Sequence, residues 1–258
     1  MTGRPARRGA DGDQRAPASV GPEQISRLED CLAADGVLLF PADTVYGLAC
    51  DPDSPIAVER LYALKGRAPG KPAAVMFFEL ERAFALLLAP ASDTGADEPA
   101  GRGAGGAGGE RGRGRERGPA GQRGPGRLEA ALRALLPGPV TVLVPNPQRR
   151  FDLACAGDPD TLGLRVPRLP ERLSALAGVA RPVLQSSANL AGGADPVTLA
   201  DVPASIRDGV DLALDGGRLP GVASTVVDLR LFERDRSWRV LRAGALSGAE
   251  IERLLCLA

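Results

Sequence analysis

Short apolar runs alternate along this chain with stretches of helical periodicity, and that alternation constrains the fold more than any other feature. Residues 37–40, 73–78, 140–144, 162–166, 183–185, 210–214, 225–229 and 238–241 read as short buried strands. Between several of them the apolar residues fall on one helical face. Ile25, Leu28 and Leu32 form such a stripe, which Gly36 ends. Ser54-Pro55 is an N-cap followed by proline and opens a second helix, with Ile56, Leu61 and Leu64 inward and Lys65-Gly66 as its stop. Further helical patterns lie at 80–88, 128–136, around 171–177, at 199–206 and at 248–257. Strands interleaved with helices predict an α/β domain with a large sheet.

The 258 residues, 44% of them apolar, are enough for one or two domains. Between about 90 and 126 the periodicity collapses into Gly-Gly pairs, Arg-Gly steps and prolines. Such a stretch cannot bury a core, so it is expected to be a disordered insertion in a single domain over 22–258. Residues 101–127 hold seven arginines against two glutamates. RNA binding by this segment is the sharper reading, but it has no aromatic side chain for bases to stack on, and a solvated insertion is preferred. Residues 1–21 are expected to be a disordered tail, with no apolar stretch for a secretory signal.

Net charge is zero and names no partner, but the distribution of cations is informative. Of 32 basic residues only Lys65 and Lys71 are lysines, and they lie six positions apart. A compact ammonium suits phosphate as a point charge, whereas guanidinium favours planar bidentate contacts. There is no histidine, which excludes Ser-His triads, histidine metal sites and histidine bases. The four cysteines lack any C-x-x-C pair, so no metal site or disulfide framework is indicated, and free thiols in a reducing compartment are expected. No run approaches the ~20 apolar residues of a membrane span.

Five small-residue segments lie next to the strand runs, where α/β folds place ligands. Residues 41–48 read P-A-D-T-V-Y-G-L, a loop in which Thr44 could hold a polar ligand or simply turn the chain. Residues 65–72, K-G-R-A-P-G-K-P, carry Lys65, Arg67 and Lys71 on a backbone stiffened by proline. Fixed cations of this kind suit a polyphosphate, the alternative being a solvated basic turn; the spacing is not that of a P-loop. In Ser186-Ser187-Ala188-Asn189-Leu190, hydroxyls and an amide offer donors to phosphate or carboxylate, or cap a helix. Arg165, in the apolar stretch that follows Thr161, needs a ligand carboxylate or a structural Asp or Glu as partner. Residues 221–225 contribute Ser224, and Arg242 ends the final strand.

Taken in order, P-A-D-T-V-Y-G-L, L-K-G-R, K-P, L-P-G-P-V-T, L-R-V-P, S-S-A-N-L, D-G-G, G-V-A-S-T-V-V-D-L and L-R-A-G resemble the YrdC family from about residue 22 to 250. The resemblance implies a YrdC-like α/β domain: a twisted open sheet with flanking helices and a concave, positively charged cavity. It implies synthesis of threonylcarbamoyl-AMP and pyrophosphate from L-threonine, bicarbonate and ATP, a nucleotidyl transfer with Mg2+ accompanying ATP. The product would pass to threonylcarbamoyl-transferase machinery that modifies tRNA. The family's K-x-R and S-x-N pairs correspond to Lys65, Arg67, Ser187 and Asn189, the expected catalytic centre. ATP contacts are expected from these four with Lys71, Thr161 and Arg242, and threonine contacts from Thr44, Arg165 and Ser224. The chain departs from the family at Ala42, Met76, Asp195 and Ala243, where Asp195 replaces a nucleotide-contacting serine. Its end soon after the last helix matches the short, single-domain type. The competing reading is a non-catalytic module binding tRNA or double-stranded RNA on the basic surface. Cytoplasm is the expected compartment, with mitochondrial delivery as the alternative.

Overall fold

The computed structural model describes residues 19–68, 70–87 and 126–257. The predicted insertion over 90–126, but for residue 126, and residues 1–18 of the predicted tail lie outside the described residues.

The chain opens with helix α1 (Pro22–Ala33), where Pro22 fills the first helical position and the Gln24 side chain accepts from the Gly21 N–H at 2.6 Å. Its exit is tight at Gly36, whose Cβ, if present, would sit 2.5 Å from Cys31 Sγ. Strand β1 (Leu38–Pro41) then turns back into β2 (Tyr46–Cys50). Helix α2 (Pro55–Leu64) starts where Ser54 Oγ accepts from the Ala57 N–H at 3.2 Å. Strand β3 (Ala74–Met76) and helix α3 (Leu80–Leu87) follow. After the undescribed stretch come α4 (Arg127–Leu135), β4 (Val140–Pro145), α5 (Asp152–Cys155) and β5 (Thr161–Arg165). A 3-10 helix (Glu171–Gly178) leads to β6 (Val183–Ser187). A 3-10 turn (Leu199–Asp201), α6 (Ala204–Arg207), β7 (Leu212–Ala213), β8 (Thr225–Asp228), α7 (Phe232–Asp235), β9 (Arg239–Arg242) and α8 (Gly248–Cys256) complete the chain.

The strands form one nine-stranded sheet in the order β7-β1-β2-β6-β3-β5-β4-β8-β9. It is mixed: β1/β7, β3/β5 and β4/β8 run parallel, while the other neighbours are antiparallel. No two chain-consecutive strands after β2 are neighbours except β4/β5 and β8/β9, so the centre is assembled from distant segments. Phe40, Tyr46, Leu48, Met76, Leu162 and Leu164 fill the interior beside the sheet. The Tyr46 hydroxyl donates toward Asp215 and the Gly217 carbonyl and accepts from the Gly216 N–H at 3.0 Å.

The α/β class is as expected, and three local assignments change. The supposed loop over 41–48 is a hairpin, with Leu38 opposite Ala49 and Pro41 opposite Tyr46. Strand β2 is buried throughout, so it shows no alternation to read from sequence. The supposed helix at 199–206 is split, because Pro203 lacks an N–H and Val202 before it is extended at φ −67°, ψ 130°. Ser186 and Ser187 belong to β6 itself rather than to a loop after it. Among the described residues no helix is long and apolar enough to cross a membrane.

Candidate functional site

A cavity of about 400 Å³ opens on one face of the sheet. Strand alternation turns Thr161, Gly163 and Arg165 of β5 and Thr141 and Leu143 of β4 toward it, and the end of β6 adds Gln185, Ser186 and Ser187. The opposite side chains, Leu162 and Leu164 among them, are buried in the core. Four guanidinium-bearing residues line the cavity, Arg67, Arg165, Arg230 and Arg242, against two carboxylates, Asp158 and Asp195.

One corner is built round Arg165, which is only 4% exposed. Its Nη2 donates to Asp43 Oδ1 at 2.5 Å and to Thr44 Oγ1 at 2.7 Å. Nη1 reaches Ser224 Oγ at 3.4 Å, and that hydroxyl lies 3.0 Å from Thr141 Oγ1. Thus the structural acid left open by the sequence is present, and it is Asp43, a residue that sequence reasoning passed over. Asp43 also accepts from the Arg168 backbone N–H at 3.0 Å. Arg165 Nε, though buried, has no partner among the described residues. Arg242 donates to the Ser224 carbonyl at 2.8 Å and to its hydroxyl at 3.3 Å, tying the last strand to the same corner.

The second wall comes from the basic loop after α2 and the end of β6. Arg67 Nη1 donates to Ser186 Oγ at 3.3 Å and Nη2 to the Pro72 carbonyl at 2.6 Å, with the guanidinium 5.6 Å from the Tyr62 ring centre. Its Nε is the other buried donor without a partner among the described residues. Lys65 behaves differently. Its ammonium, 3% exposed, donates to the carbonyls of Ser187 and Asn189 and to Asn189 Oδ1 at 3.0 Å. The same Oδ1 accepts from Ser187 Oγ at 2.7 Å, so the lysine fastens the Ser187–Asn189 turn from beneath. Burial pushes the Lys65 amine down to about 8, the nearby Arg67 charge adds to this, and Asp195 opposes it.

Of the residues expected at the site, Arg67, Thr161, Arg165, Ser187, Ser224 and Arg242 line the cavity. Thr44 stands behind it as a partner of Arg165, and Lys65 and Asn189 stand behind Ser187. Lys71 is exposed and does not line the cavity; its carbonyl accepts from the Tyr62 hydroxyl at 2.9 Å. Arg230 was missed by sequence reasoning. It chelates Asp228 through Nε and Nη2 at 2.9 and 2.8 Å and reaches Thr161 Oγ1 at 3.2 Å. That pairing holds Asp228 down at about 2, a carboxylate ionised at any neutral pH. The signal available was an arginine two residues after an aspartate at a strand end. Among the described residues no cluster of three His, Cys, Asp or Glu could hold a metal ion.

Fold and site define an α/β protein whose sheet carries a cavity lined by four arginines and two carboxylates. The family model Sua5/YciO/YrdC, described as "Telomere recombination", matches residues 30–97 and 122–244. A threonylcarbamoyl-AMP synthase of Chromohalobacter salexigens is 33% identical over 220 residues, covering 82% of this chain and 97% of that protein. A threonylcarbamoyl-AMP synthase of Pyrococcus abyssi is 25% identical over 222 residues, 85% of this chain but 53% of that longer protein. The solved structure of P. abyssi Sua5 complexed with L-threonine superposes with TM-score 0.68 at 24% identity, covering 91% of this chain and 58% of that one. The chain belongs to the Sua5/YciO/YrdC family.

Proposed function

We propose that this protein is a threonylcarbamoyl-AMP synthase, a nucleotidyltransferase that joins L-threonine, bicarbonate and ATP into threonylcarbamoyl-AMP and releases pyrophosphate. The observation that carries the reading is one cavity lined by four arginines, Arg67, Arg165, Arg230 and Arg242, with the hydroxyl residues Thr141, Thr161, Ser187 and Ser224 beside them. Fixed guanidinium and hydroxyl donors converging on one cavity suit an anionic ligand. The relatives named as threonylcarbamoyl-AMP synthases supply the ligand: a carbamoylated threonine at one end and an adenosine monophosphate at the other.

In this reading the Arg165 corner receives the substrate's carboxylate, with Ser224 and Thr141 offering hydroxyls and Asp43 fixing the guanidinium plane. Arg67, Ser186 and Ser187 face the phosphates, and Arg242 joins them from the opposite side. Threonine's ammonium gives up a proton to solvent, the free amine combines with bicarbonate with loss of water, and a carbamate oxygen attacks the α-phosphorus as pyrophosphate leaves. The residues position two anions and spread the developing charge over fixed donors, which needs neither a protein nucleophile nor a histidine. Lys65 acts through the turn it holds, setting Ser187 in place and adding its charge from below. Mg2+ would enter with ATP as part of the substrate and neutralise the leaving pyrophosphate. The product serves tRNA threonylcarbamoylation, handed on to a threonylcarbamoyl transferase. The unpaired thiols suit a reducing compartment, and we place the reaction in the cytoplasm.

The test is pyrophosphate release from ATP and bicarbonate with and without L-threonine. Threonine-dependent release with formation of the mixed anhydride is expected; release that ignores threonine, or none, overturns the reading.

A further inference from the structure

One carboxylate lining this cavity has no hydrogen bond or ion pair among the described residues. Asp195 follows the Ser187–Asn189 turn, is half-buried, and makes no hydrogen bond or ion pair among the described residues. The other cavity carboxylate, Asp158, is already engaged by Arg230 at 3.6 Å. Asp195 is set firmly in place: the Pro196 carbonyl next to it accepts from the Tyr46 N–H at 3.0 Å, and Ser187 is opposite Gly47 in the β2/β6 register. The backbone of β2 therefore carries Asp195 beside Val45, which lines the same cavity next to the Arg165 corner. A bare carboxylate at that point repels phosphate, so it cannot do for ATP what a serine hydroxyl would do. It suits a cationic group on the ligand.

Resting on the function proposed above, we propose that Asp195 is the residue that binds the α-ammonium of the amino acid substrate. Arg165 takes the carboxylate and Asp195 the ammonium, so the two ends of a zwitterion meet opposite charges across one small cavity. A divalent cation is the weaker occupant, because among the described residues no group of three His, Cys, Asp or Glu could hold one and Asp195 feels the charge of Lys65. Asp195 thus selects for an amine, the group that must be carbamoylated.

Calorimetry of the full chain with L-threonine and with the 2,3-dihydroxybutanoate of matching configuration, which replaces the amine by hydroxyl, isolates this contact. The native protein is expected to prefer threonine by about 10- to 100-fold, the range of a charge-assisted hydrogen bond. Asp195→Asn and Asp195→Ser should bring that ratio close to one while ATP binding holds or tightens. A ratio unchanged in both variants overturns the proposal. So does a variant whose only defect is a raised Mg2+ requirement, or one that improves ATP affinity alone, since either puts Asp195 at the phosphates. If the native chain binds threonine but releases no pyrophosphate, the proposed reaction fails and the amine contact stands on the binding ratio alone.

Discussion

The guanidinium of Arg165 meets the carboxylate of Asp43 at 2.5 Å, and only 4% of either side chain is exposed. Two residues separated by 122 positions form a buried ion pair at the edge of the cavity. Removing one partner of such a pair leaves a charge in a poorly solvated place, which costs more than the pair contributes. Asp43→Ala is therefore expected to destabilise the fold by about 3 kcal/mol in urea titrations. Threonine affinity should fall in the same variant, because the guanidinium loses its fixed plane. Unchanged stability would mean that water or the ligand corner compensates for the carboxylate.

Arg67 touches the cavity directly and makes few structural contacts. Arg67→Ala should lower threonine-dependent pyrophosphate release by roughly 10²- to 10³-fold, the usual loss for one fixed donor to developing charge. Circular dichroism and the urea midpoint should stay near those of the native chain. Near-normal turnover would place the phosphates elsewhere.

Lys65 gives a pH dependence with a definite sign. Its amine titrates at about 8, below the usual lysine range, so the ammonium is lost as pH rises through that value in the free protein. The cation helps hold the Ser187–Asn189 turn and adds positive charge behind it, so ATP affinity should weaken above about pH 8. For folding the sign is the reverse. Below about 8 both folded and unfolded chains carry the charge, and the burial penalty is present in full. It is relieved as pH rises toward the unfolded value of about 10.4. Lys65→Met should remove the alkaline limb of ATP binding along with most of the affinity; a limb that persists belongs to another group.

Gly244 closes the last motif for a steric reason. A Cβ there would lie 2.3 Å from the Ala223 carbonyl oxygen and 2.6 Å from the Thr225 nitrogen, both backbone atoms that cannot rotate away. Gly244→Ala should cost about 1–3 kcal/mol of stability, as forced overpacking does. It should also weaken substrate binding through Ser224, which lies between those two residues and accepts from Arg242. A variant of native stability and affinity would refute the close approach.

Much of this site was legible in one dimension. The order of small-residue segments pointed to Arg67, Ser187, Thr161, Arg165, Ser224 and Arg242, and all six line one cavity. The demand for a partner on Arg165 was legible too, because an arginine in an apolar strand cannot stay unpaired. Its partner was not, since the choice between Asp43 and a ligand depends on how the β1–β2 turn docks on β5. Arg230 and the hairpin over 41–48 were missed for related reasons. Nothing near Arg230 in sequence says that it faces Thr161, and a strand buried on both faces has no alternation to detect.

By itself, then, the sequence determined the α/β class, the helix cap at Ser54 and the identity of the cationic and hydroxyl groups at strand ends. These depend on local spacing and residue chemistry, which a chain carries wherever it folds. Only the tertiary structure decided that Lys65 donates to the Ser187 turn, that Asp43 pairs with Arg165, and that Asp195 faces the cavity with no hydrogen bond among the described residues. Each depends on the strand order β2-β6-β3-β5, which brings together segments more than a hundred residues apart. Register between distant strands is fixed by the packing of the whole sheet, and no short window of sequence contains it.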